Sequence, residues 1–242
     1  MKTPPTIADY KSRAEKLVPL LRERAQKTET LRRVPDESIA ELHASGLFRI
    51  HQPARVGGGE LPFRAIVELV AIVARGCAST AWVLANLISH HWMLGYFAPE
   101  VQDEIWSADP DALIGSAVIF NCGKAKRVPG GFRVSGRWPF SSGVHPSSWL
   151  LMGAMVEGEA DSARMFLVRQ SDIRILDTWH VMGLVGTGSE DVTMDDVFVP
   201  EHFSLAVAAG RGGPSPGSAV NPGALYRLPL TALFGYVVGP VA

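Results

Sequence analysis

Ala108-Asp109-Pro110-Asp111-Ala112-Leu113-Ile114-Gly115 marks the point where the chain changes its period. Before it, apolar residues recur every three or four positions. After it, they alternate or run on without a break. A single switch of this kind argues segregated helices and sheet, hence an α+β fold and not a βαβ alternation.

Upstream, residues 6–28 read as a helix, with Tyr10, Ala14, Leu17 and Leu21 on one face. Pro19 is expected to kink or split it. A second helix starts at Pro35, carries Ile39 and Leu42, and stops at Gly46, where a left-handed cap fits. Val56-Gly57-Gly58-Gly59-Glu60 is a loop. Pro62 opens a third helix with Ile66, Leu69, Val70 and Val73 facing inward. Between Arg75 and Glu100 lie 24 residues without a formal charge. Ser79 is their expected N-cap. Asn86, Ser89, His90 and His91 break this run near its middle, so it reads as a helix buried in protein and not as a bilayer span. Pro99 opens a short amphipathic helix through Trp106.

Downstream, Leu113–Phe120 reads as a strand, Pro129-Gly130-Gly131 as a turn and Phe132–Ser135 as further sheet. Trp149–Val156 is a nearly continuous apolar run, as in a strand covered on both faces. Met165–Val168 and Val192–Val199 complete the visible strands. Residues 207–223 are rich in Gly, Pro, Ser and Ala and read as a loop or linker. Leu228–Val241 begins a new apolar segment that is expected to leave uncovered surface. The expected division is an all-helical domain over 1–110, an antiparallel β-barrel or sandwich domain over 111–205, a loop over 206–226, and over 227–242 the start of a further helical domain.

Composition narrows the function. The 242 residues are 47% hydrophobic and 19% charged, which is globular and not disordered. Lys+Arg is 23 against Asp+Glu 24, so no basic field favours nucleic acid or an anionic membrane. Cys77 and Cys122 have neither disulfide-framework nor zinc spacing, and no apolar leader follows Met1, so a cytoplasmic location is expected.

Several strings, taken in order, carry a resemblance: Ala81-Trp82 with His90-His91-Trp92, then Gly136-Arg137-Trp138-Pro139-Phe140-Ser141-Ser142-Gly143, then Trp179-His180-Val181-Met182-Gly183-Leu184-Val185-Gly186-Thr187-Gly188-Ser189, then Val197-Phe198-Val199-Pro200. Together they resemble the acyl-CoA dehydrogenase superfamily. The branch they are most similar to is the oxygenase components of two-component flavin-dependent aromatic monooxygenases, which include 4-hydroxyphenylacetate and steroid phenol hydroxylases. The resemblance runs from about Tyr10 to the end. It implies a helical domain, a β domain and a C-terminal four-helix bundle, of which this sequence holds the first two and the opening of the third. In the family that bundle supplies much of the flavin pocket and the tetramer interface.

The implied chemistry is hydroxylation of a small aromatic or phenolic substrate by a flavin C4a-hydroperoxide. It is formed from O₂ and reduced FMN or FAD, which a separate NAD(P)H-flavin reductase delivers to a homo-oligomer. Strand alternation sends Ser141 and Ser142 to opposite sides, so one hydroxyl faces a pocket. Trp138 and Phe140 offer aromatic walls, and Gly143 admits a flat ring close to the backbone. A Ser-Gly turn after a core strand is the plainer reading of the residues; family position favours Ser142 as partner of the flavin N5. Family position likewise sets His90 over the flavin as the base that assists the phenol, where a lone helical His is more often core. His91, about 100° round the helix, points elsewhere. Neither forms a metal motif. Thr187, Gly188 and Ser189 hold a phosphate or the ribityl chain, or make a plain hairpin connection. Asn121 stands where the family commonly has Pro against a flavin edge. Two other readings remain: an acyl-CoA dehydrogenase using FAD, against which Phe140-Ser141-Ser142-Gly143 speaks, and a non-catalytic truncated remnant.

Overall fold

The computed structural model describes residues 5–160 and 162–232. Six α-helices come first: α1 Ile7–Glu23, α2 Ala25–Leu31, α3 Asp36–Ser45, α4 Arg64–Ala74, α5 Ala78–Leu94 and α6 Pro99–Ala108. Eight strands follow: β1 Ile114–Ala117, β2 Gly123–Val128, β3 Gly131–Ser141, β4 Trp149–Val156, β5 Ala163–Arg169, β6 Arg174–Leu176, β7 Glu190–Pro200 and β8 Ser204–Ala206. The fold is α+β, as the change of period predicts.

α1 starts at a reciprocal cap: the Thr6 hydroxyl accepts from the Asp9 amide, and the Asp9 carboxylate accepts from the Thr6 amide at 2.7 Å. Pro19 does not split the helix. It sits on the exposed face, and the break falls at Arg24 instead. Gly46 ends α3 at φ 75°, as its position predicts. Ser79 is not the cap of α5: the helix starts at Ala78, two residues earlier than a Ser79 cap would set it, and Ser79 is buried inside it. Packing sets that start, because a Cβ on Gly76 would come 2.8 Å from the Val18 carbonyl oxygen of α1.

The sheet runs in the order β6-β7-β3-β2-β4-β5-β8, with β1 also on β4. It is mostly antiparallel, but β1 and β2 both pair parallel to β4. They are two pieces of one interrupted edge: Ile114–Ala117 lies along Trp149–Met152, and Lys124 resumes at Met155. The expected strand to Phe120 therefore stops at Ala117 and bulges out through a 3-10 turn at Phe120–Cys122. β4 is buried on both faces except at Met155, as its unbroken apolar run predicts.

Two buried clusters share α5. Leu84, Leu87 and Ile88 face the helical core, whereas Trp92 and Leu94 face the sheet. Residues 207–223 are not a free linker. Asn221 is buried and donates to the Gly95 carbonyl, and Tyr226, just beyond, donates to the His51 carbonyl at 2.9 Å. Of the apolar segment expected after it, Leu228 and Leu230 are half-buried against the sheet core, and residues 233–242 lie outside the described residues.

Candidate active site

β3 loses its alternation before it ends. Its pairing with β7 slips between Trp138 and Ser141, and Phe140 is in the left-handed region at φ 65°. Phe140 is thereby turned out to 63% exposure, and Ser141 and Ser142 both turn inward. The expectation that the two hydroxyls face opposite ways fails for this reason. Gly143 follows at φ 70°, where a Cβ would lie 3.1 Å from Val83 Cγ1, so the turn presses directly on α5.

That pressure assembles a chain of hydrogen bonds. The Trp82 indole N–H donates to Ser142 Oγ at 2.9 Å. Ser142 Oγ lies 2.7 Å from Ser189 Oγ, and Ser189 Oγ lies 2.6 Å from Thr187 Oγ1. Thr187 Oγ1 donates to the Leu184 carbonyl at 2.8 Å. The Gly143 amide donates to the Thr187 carbonyl, which ties the two loops together. Ser142 is 8% exposed and is the part of the chain bordered by the outward Phe140.

Trp82, Asn86 and His90 are spaced by four, so they line one stripe of α5, about 12 Å long at 1.5 Å per residue. At its far end His90 is buried, with Nδ1 2.6 Å from the Ile114 carbonyl and Nε2 2.8 Å from Ser116 Oγ. A carbonyl only accepts, so Nδ1 carries the proton and Nε2 accepts from Ser116. Burial pushes the pKa of His90 down to about 4, which keeps the ring neutral near pH 7. Ser116 is half-buried and is the more open member of the pair. Ser141, wholly buried, donates to the Ser116 carbonyl at 3.1 Å and so couples the two ends of the stripe. His91 points away and stacks on Trp106 at 6.1 Å between centroids.

A loop rims the Ser142 end. Glu190, buried at the start of β7, accepts the Thr178 and Trp179 amides at 2.7 and 2.8 Å. The Trp179 ring meets Phe140 edge-on at 6.2 Å. Val181, Met182 and Leu184 are exposed beyond it. Arg32, itself at φ 54°, donates to the Trp179 carbonyl and pairs with Asp177 at 2.7 Å. Glu190 Oε2 is thus engaged by backbone amides, and Oε1 lies 3.9 Å from His145 Nε2.

The fold therefore brings together Ser142, Ser189 and Thr187, and beside them Gly143, Gly188 and Phe140. Gly188, at φ 54°, closes the loop against His145. Trp138 is corrected: it is wholly buried and donates to the Gly153 carbonyl, so it is core and not an open wall. Ser141 is likewise spent internally. Asn121 lies exposed on its 3-10 turn, outside the hydrogen-bond chain. Trp82, Ser116 and Glu190 were not expected. The two steps of four from His90 through Asn86 to Trp82 were a usable signal; nothing local marks Ser116. Among the described residues no group of three or more His, Cys, Asp or Glu forms a metal site, and no helix is long and apolar enough to cross a membrane.

Residues 13–109 match the acyl-CoA dehydrogenase N-terminal domain. Over those residues the chain carries that family's N-terminal domain. Over most of its length it is similar to flavin-dependent oxygenase components. It is 39% identical over 219 residues to the flavin-dependent monooxygenase oxygenase subunit HsaA of Rhodococcus jostii (strain RHA1), covering 90% of this chain and 57% of that one. It is 40% identical over 202 residues to the oxygenase component of the FADH(2)-dependent resorcinol hydroxylase of Rhizobium sp. (strain MTP-10005), covering 82% and 49%. The crystal structure of the HsaA monooxygenase from M. tuberculosis superposes with a TM-score of 0.93 at 33% identity, covering 98% of this chain and 62% of that one. The chain thus spans about half to three-fifths of the length of these relatives.

Proposed function

We propose that this chain is the oxygenase component of a two-component flavin-dependent monooxygenase that hydroxylates a small phenolic or aromatic substrate. The carrying observation is the stripe on α5, with a hydroxyl acceptor at the Trp82–Ser142 end and a neutral imidazole–hydroxyl pair at the His90–Ser116 end. The residues fit a flavin on two counts. Ser142 Oγ presents a hydroxyl beside an outward aromatic, Phe140. Trp179, Val181 and Leu184 supply apolar faces for a flat ring. FMN and FAD share that ring, and either serves in its reduced form.

When bound, reduced flavin supplies the two electrons that activate O₂; a separate NAD(P)H-flavin reductase provides it. The chain's own residues hold and shield. Ser142 would hold the N5 edge. Phe140 and the loop held by Glu190 exclude water. At the other end Ser116 Oγ, itself donating to His90 Nε2, would accept a hydrogen bond from the phenol O–H, which raises electron density on the ring without charging the buried imidazole. The Ile114 carbonyl holds His90 in the tautomer whose Nε2 is free to accept from Ser116. Thr187, Gly188 and Ser189, all buried, would stand behind Ser142 and not against the ribityl chain. The family resemblance suggests a homo-oligomer, and the free thiols Cys77 and Cys122 suit a reducing compartment such as the cytoplasm.

The test couples the protein to an NADH-flavin reductase and assays phenols for hydroxylated product. Product that requires the protein, O₂ and reduced flavin supports the reading. Oxidation of an acyl-CoA instead, with a dye as acceptor, would replace it with the dehydrogenase.

A further inference from the structure

The hydroxyl chain beside Ser142 has only one consistent direction. Each hydroxyl donates once and accepts up to twice. The Leu184 carbonyl cannot donate, so the Thr187 proton points to it at 2.8 Å. Thr187 Oγ1 is then an acceptor, and the 2.6 Å contact requires Ser189 to donate to it. Ser189 has no second proton, so the 2.7 Å contact requires Ser142 to donate to Ser189. Trp82 has an N–H and no lone pair there, so it donates to Ser142 at 2.9 Å. Ser142 has thus given away its proton and taken one. What remains on its oxygen is a lone pair.

We infer that Thr187 and Ser189 polarise Ser142 into an obligate acceptor and so make the site select reduced over oxidised flavin. The inference rests on the proposed flavin site and adds the determinant of its redox preference. Reduced flavin carries N5–H, a donor that matches the lone pair. Oxidised flavin carries a bare N5, an acceptor that meets the same lone pair unfavourably. To bind the oxidised form with a hydrogen bond, Ser142 must turn its proton outward. Ser189 must then turn towards Ser142, and the short Ser189–Thr187 contact loses its proton unless Thr187 turns away from the Leu184 carbonyl. The carbonyl at the far end is therefore what fixes the sense of the whole chain. Thr187 and Ser189 are positioning residues: each acts on the flavin only through Ser142. Thr187 is buried together with Ser189, so water does not replace its hydroxyl freely.

The experiment compares affinity for the two redox states. Oxidised FMN and dithionite-reduced FMN are titrated anaerobically against the purified full chain, followed by tryptophan fluorescence and ultrafiltration, and then repeated with FAD. The unmutated protein should bind the reduced form more tightly. Thr187→Val removes the proton that points at Leu184 and keeps the side-chain shape. It frees Ser189 to donate to Ser142, and Ser142 to donate to oxidised flavin. The reduced-to-oxidised affinity ratio should fall by about three- to ten-fold, the worth of one neutral hydrogen bond. Thr187→Ser, which keeps the hydroxyl, should restore it. A purely structural role would weaken both redox states alike and leave the ratio unchanged. An unchanged ratio in Thr187→Val with both forms still bound would overturn the polarity inference and leave the flavin site standing. Failure of the unmutated protein to bind either form of either flavin would overturn the site and the inference together.

Discussion

Glu190 gives the sharpest structural prediction. Its carboxylate is buried, and one oxygen, Oε2, accepts both the Thr178 and Trp179 amides, at 2.7 and 2.8 Å. Those amides hold the loop that carries Trp179 against Phe140. Hydrogen bonds to a charged acceptor contribute about 1.5–3 kcal/mol each, so Glu190→Ala should weaken loop closure by about 3–6 kcal/mol, or about 10²–10⁴ in the open-to-closed ratio. Glu190→Gln keeps an oxygen at the same place and loses only the charge assistance, so it should cost far less. Native-state hydrogen exchange at the Thr178 and Trp179 amides reads this directly, with limited proteolysis across residues 177–186 as a second readout. β7 itself should stay protected, because its pairing with β3 does not use the carboxylate. Equal protection of both amides in Glu190→Ala and the unmutated protein would refute the anchoring role.

Three further outcomes follow from the geometry. His51, His90 and His91 are buried and held neutral, with pKa values pushed down to about 4, 4 and 3 from 6.5. The unfolded chain takes up protons below pH 6.5 that the folded chain refuses until about pH 4, so stability should be complete above 6.5 and fall as pH drops towards 4. Denaturant melts across that range test the sign, and His91→Phe, which removes a ring with two unpartnered nitrogens, should lessen the slope. Gly143→Ala forces a Cβ to within 3.1 Å of Val83 at φ 70°, and should cost about 1–2 kcal/mol and lower Tm by about 2–8 °C in calorimetry. His90→Ala should cut product formation by about 10²–10⁴ while leaving affinity for reduced flavin unchanged, whereas Ser142→Ala should lose that affinity; an identical pattern in both would separate neither role.

What the sequence reveals depends on whether the cause is local. β4 was legible from Trp149–Val156, because burial on both faces writes an unbroken apolar run. Gly46 as a cap was legible because a left-handed turn favours Gly. β2 was not legible: Lys124, Lys126 and Arg127 are exposed and only Ala125 is buried along its middle, so the strand exists through its pairing with β3 and not through its own pattern. β6 and β8, three residues each, carry too little period to detect. The start of α5 was misplaced because contact between Gly76 and α1 decides it, and no side-chain cap does. At the site, resemblance pointed to Ser142 and His90, whose roles stand as proposals; Trp82, in line with Asn86 and His90 at steps of four, was open to the same spacing argument but was not read. Ser116 was not, since it meets His90 only once β1 packs on α5. Trp138 and Phe140 read as paired flavin walls only if β3 keeps its alternation through both; Trp138 faces the core, and the slip after it turns Phe140 out alone.

The most direct test is a crystal structure of the protein grown anaerobically with reduced flavin and a phenol. The account predicts the flavin N5 within about 3.3 Å of Ser142 Oγ, its ring beside Phe140, and the phenol oxygen in hydrogen-bond reach of the Ser116–His90 pair. Flavin bound elsewhere on the chain, or bound at the Phe140 face with N5 turned away from Ser142, would contradict it.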